Sequence, residues 1–277
     1  MTVQKIEYKF NEDSLRIQTE ELIKGVSGSF KGEYYSPSFI SSWNTCPAKT
    51  FFSSLIKEDF VAPLEIGSCV HTALESKFKN GEISPFLLEE LRHNLNDKKE
   101  YISKMEDYIS AYEQIGEVFS SNTEHYTELK IISEVSPLGV KLPQLKGFID
   151  RLDISPTLLN IVDYKTSSRE IPEDKYLDQL TIYKWLVEKE YETEVNNCYV
   201  CSLFPNNPRL IPQKITLCSQ SRLIEKIMKT DEEVKQSIEK MEFKKCKSWQ
   251  CKFCPCKDNC HFCNYGWLNH EYEEEKE

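Results

Sequence analysis

GFIDRLDISPTLLNIVDYKTS, residues 147–167, holds two β-rich runs on either side of a turn at Ser155-Pro156-Thr157. Each run ends in an acid beside apolar residues, Asp150 after Phe148-Ile149 and Asp163 after Ile161-Val162. A strand that buries isoleucine and valine has little reason to carry a carboxylate unless it is solvated, paired or metal-bound. Side chains alternate along a strand, so Asp163 and Lys165 share one face while Tyr164 points to the other. If the turn pairs the two runs as a hairpin, Asp150 approaches Asp163. Two carboxylates brought together raise each other's pKa unless a cation sits between them. Hard oxygen donors at such a point suit Mg²⁺ or Mn²⁺, and a neighbouring ammonium offsets developing charge. An ordinary Asp–Lys salt bridge on a hairpin is the plainer alternative.

Outward from this stretch, the run ELKIISEVS at 128–136 and a break at Pro137-Leu138-Gly139 extend the hairpin to an antiparallel meander. A helix is expected at 172–189, strands near 195–204 and 209–217, and a helix at 219–242; a helix between strands points to an α/β sheet. The N-terminal half reads as helical at 12–24, 38–56, 67–79, 85–95 and 98–120, with apolar residues three and four apart. Ser36 or Ser38 can cap the second of these helices, and Pro37 suits its first turn. The expected organisation is a mainly helical region at 1–125 with Cys46 and His71, a core at 126–245 and a cysteine-rich segment with an acidic tail at 246–277, all in one integrated domain.

Two further pairs belong near the acids. Gln179 and Tyr183 stand four apart in DQLTIYKWL and share a helix face, where an amide and a phenol can hold a phosphate or base, or simply pack on the sheet. His71 lies one helical turn beyond Gly67, which permits a close approach, and an imidazole beside two carboxylates favours Mn²⁺ somewhat over Mg²⁺. A lone histidine on a helix is more often structural.

Eleven cysteines are present, six of them within 246–263. An odd number cannot all pair, and clustered cysteines in a chain without an export signal point to metal ligation. Cys251-x₂-Cys254-x₅-Cys260 lets thiolates converge on zinc or an iron–sulfur cluster. A fourth ligand would come from Cys46, or locally from Cys256 or Cys263.

The chain has 277 residues, 39% of them hydrophobic, enough to bury a core. Its 35 Lys and Arg against 45 Asp and Glu give a net charge of −10, which weighs against a general nucleic-acid binder. Charge is uneven, however: residues 240–260 carry six lysines and two acids, and the tail EYEEEKE is net −4. No apolar run approaches the roughly 20 residues of a membrane span. The charged N-terminus is unlike a signal peptide, so a cytoplasmic location is expected, in a bacterium or a phage-infected host.

The ordered set Gly67-x₃-His71, GFIDRLD around Asp150, Asp163-x-Lys165 and Gln179-x₃-Tyr183 resembles the RecB-like branch of the PD-(D/E)xK nuclease superfamily. Ser36-Pro37-Ser38 through Cys46-Pro47, with the C-terminal Cys-x₂-Cys-x₅-Cys, further resembles its iron–sulfur members, among them the AddB nuclease domain, CRISPR-adaptation exonucleases and mitochondrial single-strand exonucleases. The resemblance implies a restriction-endonuclease-like core, a central mixed sheet flanked by helices, with the N-terminal helical region stapled to the cysteine-rich end. It implies a divalent ion bound by His71, Asp150, Asp163 and the backbone carbonyl of Tyr164. Lys165 would position the attacking water, and Gln179 and Tyr183 would brace the site or the DNA. Cys46, Cys251, Cys254 and Cys260 would hold a structural 4Fe-4S cluster. The implied reaction is phosphodiester hydrolysis by in-line attack, exonucleolytic on single-stranded DNA or on ends, in recombination, repair, replication or CRISPR adaptation. No GxxxxGK[ST] is present, so unwinding would fall to a helicase or other partner protein. The competing expectations are a non-catalytic, nuclease-fold scaffold subunit and a zinc-binding regulatory protein. The residues after Cys46-Pro47 depart from the family pattern, only Ala48-Lys49 being partly basic.

Overall fold

The computed structural model describes residues 28–55, 61–115, 123–240, 242–246 and the single positions 248, 251, 254 and 256. The helix expected at 12–24, and Cys260 and Cys263, lie outside the described residues. Among the described residues the chain runs α1 (Pro37–Thr45), α2 (Pro47–Leu55), α3 (Ala62–Asn80), α4 (Pro85–Asn94), α5 (Lys99–Ile115), β1 (Glu124–Ser133) and a 3-10 turn (Pro137–Gly139). It continues through β2 (Leu145–Ser155), β3 (Leu158–Lys165), α6 (Leu177–Tyr191), β4 (Asn197–Ser202), β5 (Arg209–Pro212) and α7 (Leu217–Lys240).

The helix expected at 38–56 is two helices, because Pro47 lacks an N–H and biases Cys46 away from helical backbone. Pro47 then opens α2, where a missing donor costs nothing. The helix expected from 67 starts five residues earlier at Ala62, with Pro63 in its first turn, and ends at Gly81, whose φ of 80° is left-handed. Ser84 caps α4 by accepting from the Leu87 N–H at 3.2 Å, a contact worth about 1 kcal/mol.

The strands form one sheet in the order β1-β2-β3-β4-β5. The expected meander is present: β1, β2 and β3 pair antiparallel, with Arg151 opposite Val162. α6 carries the chain across to β4, which pairs parallel with β3 so that Asp163 lies beside Val200. β5 returns antiparallel. The fold is therefore α/β, a mixed five-stranded sheet with helices against it.

Two compact units are distinguished, and each has its own core. In the unit of residues 35–38 and 59–228, α3, α4 and α5 bury Val70, Leu74, Leu91 and Met105 together with Val162 and Tyr164 of β3. The other unit comprises 1–34, 39–58 and 229–277. Its described part is an aromatic cluster, Phe51 stacked on Phe243 with ring centroids 4.0 Å apart and Phe30 edge-on to Phe51 at 5.6 Å. Trp43 Nε1 donates to Glu233 at 3.2 Å and Asn44 Nδ2 to Thr230 at 2.8 Å, tying α1 to the end of α7. Such ring pairs add about 0.5–1.5 kcal/mol each beyond their burial.

One irregularity positions the site. Residues 147 and 151 of a regular strand share a face. Here a Cβ on Gly147 would lie 2.9 Å from Leu186 of α6, whereas the Arg151 guanidinium sits 4.1 Å from the Phe78 ring of α3 and donates to Tyr112 of α5. The alternation thus inverts once between them. Glu128, with a left-handed φ of 50°, lies in that interval, between the pairs Thr127–Arg151 and Leu129–Ile149 and so opposite Asp150.

Candidate active site

The inversion delivers acids to one end of the sheet. Asp150 follows the last buried residue of one alternation and precedes Arg151 of the next, and its Oδ2 accepts the Tyr164 N–H at 2.7 Å. That bond holds β2 against β3 one step beyond the Arg151–Val162 pair, which places Asp150 in register with Asp163, as the hairpin reading required. From α3, His71 Nδ1 comes within 3.5 Å of Asp150 Oδ1 and 3.6 Å of Glu128 Oε1. Gly67, one turn before, allows the close approach expected of it: a Cβ there would be 3.2 Å from Thr166 Oγ1.

Asp163 is fully buried. Its Oδ2 pairs with Lys165 Nζ at 2.6 Å, and its Oδ1 accepts from Gln179 Nε2 at 2.9 Å. The same amide nitrogen donates to the Tyr183 hydroxyl at 2.8 Å, so the two α6 residues form a chain ending on the acid. Tyr164 points the opposite way, as alternation demands, and lies edge-on to His71 with centroids 5.9 Å apart.

The electrostatics follow from burial and crowding. Burial pushes the Asp163 carboxyl up to about 7, against the pull of the Lys165 ammonium and with the Asp150 charge adding to the rise. Burial works to lower His71, yet the hydrogen bonds and charges of Asp150 and Glu128 outweigh it and raise the imidazole to about 10. Lys165 would likewise be lowered by burial, but Asp163 and Asp150 hold it above the ordinary lysine range. Burial, reinforced by the Asp163 charge, raises the Tyr183 phenol far above its usual value, so it accepts from Gln179 as a neutral hydroxyl.

Among the described residues, His71, Glu128 and Asp150 are the group whose ligand atoms all lie within 4.8 Å of one another. One imidazole and two carboxylates suit a divalent cation of the Mg²⁺ or Mn²⁺ kind. Asp163, expected among the ligands, lies outside that group, its carboxylate engaged by Lys165 and Gln179. Glu128 was missed in the sequence. Its signal was the one that exposed Asp150 and Asp163, an acid beside an apolar run, here at the head of ELKIISEVS.

Cys46, Cys246, Cys251, Cys254 and Cys256 belong to the other unit, whereas Cys69, Cys198, Cys201 and Cys218 belong to the unit of the sheet. Cys46 Sγ accepts the Lys49 N–H at 3.4 Å, and Cys246 lies within hydrogen-bond reach of Cys46. Cys251 Sγ is 3.8 Å from the Cys246 carbonyl, and the Cys254 N–H donates to the Cys251 carbonyl at 3.2 Å. Cys256 is buried with its sulfur 3.2 Å from Ser53 Oγ. Cys260 lies outside the described residues.

Comparison with known proteins follows this geometry. The model of the PD-(D/E)XK nuclease superfamily matches residues 34–261. A candidate exonuclease of Eubacterium rectale, of known crystal structure, superposes with a TM-score of 0.58 at 14% identity, over 92% of this chain and 94% of that one. The crystal structure of SSO0001 matches with a TM-score of 0.35 at 14% identity, over 80% of this chain and 94% of that one. No curated protein matches the sequence.

Proposed function

The chain belongs to the PD-(D/E)XK nuclease superfamily, and from that premise we propose that it is a divalent-metal-dependent deoxyribonuclease acting on single strands or DNA ends. The observation that carries the reading is the convergence of His71, Glu128 and Asp150 beside the buried Asp163–Lys165 pair. A structural salt bridge needs neither the imidazole from α3 nor a second carboxylate in left-handed backbone.

His71, Glu128, Asp150 and Asp163, with the carbonyl of Tyr164, would hold the ion, which when bound supplies Lewis acidity toward the scissile phosphate. Lys165, whose side chain is one-fifth exposed, presents its ammonium where a nonbridging oxygen gains charge and where an attacking water is oriented. Gln179 fixes the Asp163 carboxylate through one hydrogen bond and is itself fixed by Tyr183, so the acid keeps its direction when Lys165 turns to substrate. None of these groups reads a base edge, so cleavage is indifferent to sequence. Cys46, Cys251, Cys254 and Cys260 would bind a 4Fe-4S cluster as a structural staple, with Cys246 the nearest substitute ligand. The pathway would be recombination, repair, replication or CRISPR adaptation, with a helicase or other partner supplying opened DNA.

The test uses anaerobically purified full chain, Mn²⁺ or Mg²⁺, and end-labelled linear against circular single-stranded DNA. The linear strand is degraded, and Asp163→Asn lowers the rate on the order of 10³-fold or more while the melting temperature moves by a few degrees at most. No hydrolysis by folded, iron-loaded protein would overturn the reading in favour of a scaffold.

A further inference from the structure

The outer face of the β1–β2 hairpin carries the exposed side chains of Phe148 and Ile132. Lys130 of β1 is the cross-strand partner of Phe148 of β2, and Ile132 is the partner of Lys146. Phe148 is 45% exposed, and Lys146 Nζ lies 4.8 Å from its ring centroid. Lys130 is two residues from Glu128, and Phe148 is two residues from Asp150, along the interval in which the alternation inverts. Beyond Ile132 the hairpin ends in an exposed Leu138, held at a left-handed φ of 51° where a leucine is strained. Strain that displays an apolar side chain to solvent asks for a use.

In a chain of net charge −10, two lysines flanking an exposed phenylalanine next to the acids fit a polyanion with a flat, apolar base. We propose that this face is a platform for single-stranded DNA: a base stacks on Phe148, Lys130 and Lys146 take the flanking phosphates, and Leu138 meets the strand at the hairpin tip. The platform rests on the nuclease reading and deepens it, because it selects an unpaired strand. A duplex keeps its bases stacked on one another and offers Phe148 nothing, whereas base–aromatic stacking is tolerant of sequence and strong for single strands. Among the described residues, Glu128 stands at the inner end of the patch, and Glu134 is engaged by Lys141 at 3.0 Å.

The experiment measures fluorescence anisotropy of a labelled oligodeoxythymidine, and of a labelled hairpin duplex, with full chain in EDTA at several salt concentrations. Phe148→Ala weakens single-strand binding about tenfold and leaves duplex binding unchanged, while Phe148→Trp restores it. Lys130→Ala weakens binding and lowers the slope of log affinity against log salt by roughly 0.7. Lys104→Ala, on exposed α5 and paired with Glu100 at 2.7 Å, changes neither. Unchanged single-strand binding in Phe148→Ala, or an equal loss on duplex, overturns the platform. So does concentration-dependent sedimentation that Phe148→Ala abolishes, which would make the face a contact between two copies. If the nuclease reading is at fault, wild-type chain cuts nothing; if only the platform is at fault, Phe148→Ala cuts single strands at the wild-type rate.

Discussion

Two buried aspartates of the same hairpin each have a cation two residues away, and the sheet turns them to opposite faces, Asp163 toward Gln179 of α6 and the Arg151–Asp153 pair toward Phe78 of α3. Asp163 pairs with Lys165 at 2.6 Å, and Asp153 pairs with the Arg151 Nε at 2.6 Å. Both acids are fully buried. Arg151 is closed in by the Tyr112 hydroxyl at 3.1 Å and the Phe78 ring, and His125 Nδ1 reaches Asp153 at 2.5 Å. Every direction from that pair ends in protein. Lys165, by contrast, keeps a fifth of its side chain in solvent, next to an imidazole and two more carboxylates. An acid two residues from a base is therefore only a pattern; what separates scaffold from candidate site is whether more acids converge and whether solvent reaches the cation.

The comparison can be broken in several ways. The largest effect expected is on cleavage: Asp163→Asn lowers hydrolysis on the order of 10³-fold, and Asp153→Asn leaves the rate per folded molecule within a few-fold of wild type. If both changes abolish cleavage in folded protein, the two pairs are not distinct in role. Next is stability. Asp153→Ala removes the carboxylate that neutralises the buried Arg151 and costs about 3–5 kcal/mol, a fall in melting temperature of roughly 10 °C by calorimetry. The same measurement on Asp163→Asn should show a much smaller change.

The third is the pH profile of the metal-free protein. Burial raises the Asp163 carboxyl from its usual 3.8 to about 7, so across that range the folded chain holds a proton that the unfolded chain has released. Its contribution to stability is full below pH 3.8 and is lost as pH rises through 7. Thermal melts in EDTA should show this decline in wild type and a flatter curve in Asp163→Asn; a decline of equal slope in both would assign the proton elsewhere. The smallest effect concerns thiols. Burial pushes Cys198 and Cys201 up to about 12, whereas Cys218 is exposed. Iodoacetamide at about pH 8 should label Cys218 within minutes and spare Cys198 and Cys201 until the chain unfolds, as read by peptide mass spectrometry.

Much of this was legible before any coordinates. The turn at Ser155-Pro156-Thr157 fixed the hairpin, alternation put Asp163 with Lys165 and Tyr164 opposite, and the helix between β3 and β4 announced an α/β sheet. Gln179 and Tyr183 met Asp163 because four residues is one helical turn. Hidden from view were features that depend on the third dimension. Glu128 adopts left-handed backbone, a conformation its residue type disfavours, so no propensity marks the point where the alternation inverts. Arg151 and Asp153 look as promising as Asp163 and Lys165 until Phe78 and Tyr112 close over them. The two-helix break at Cys46-Pro47 was readable from the proline and was smoothed over by the periodicity around it.

The order of the strands carries a consequence for the chain's birth. Each strand of β1-β2-β3-β4-β5 pairs with the one synthesised just before it. His71, Glu128, Asp150, Asp163, Lys165, Gln179 and Tyr183 have all been synthesised before the first residue of α7 is added. Pairings this local are quick to form and close only short loops. The residues of the sheet are thus synthesised before the cysteines at 246–263, and its pairings do not wait on that segment.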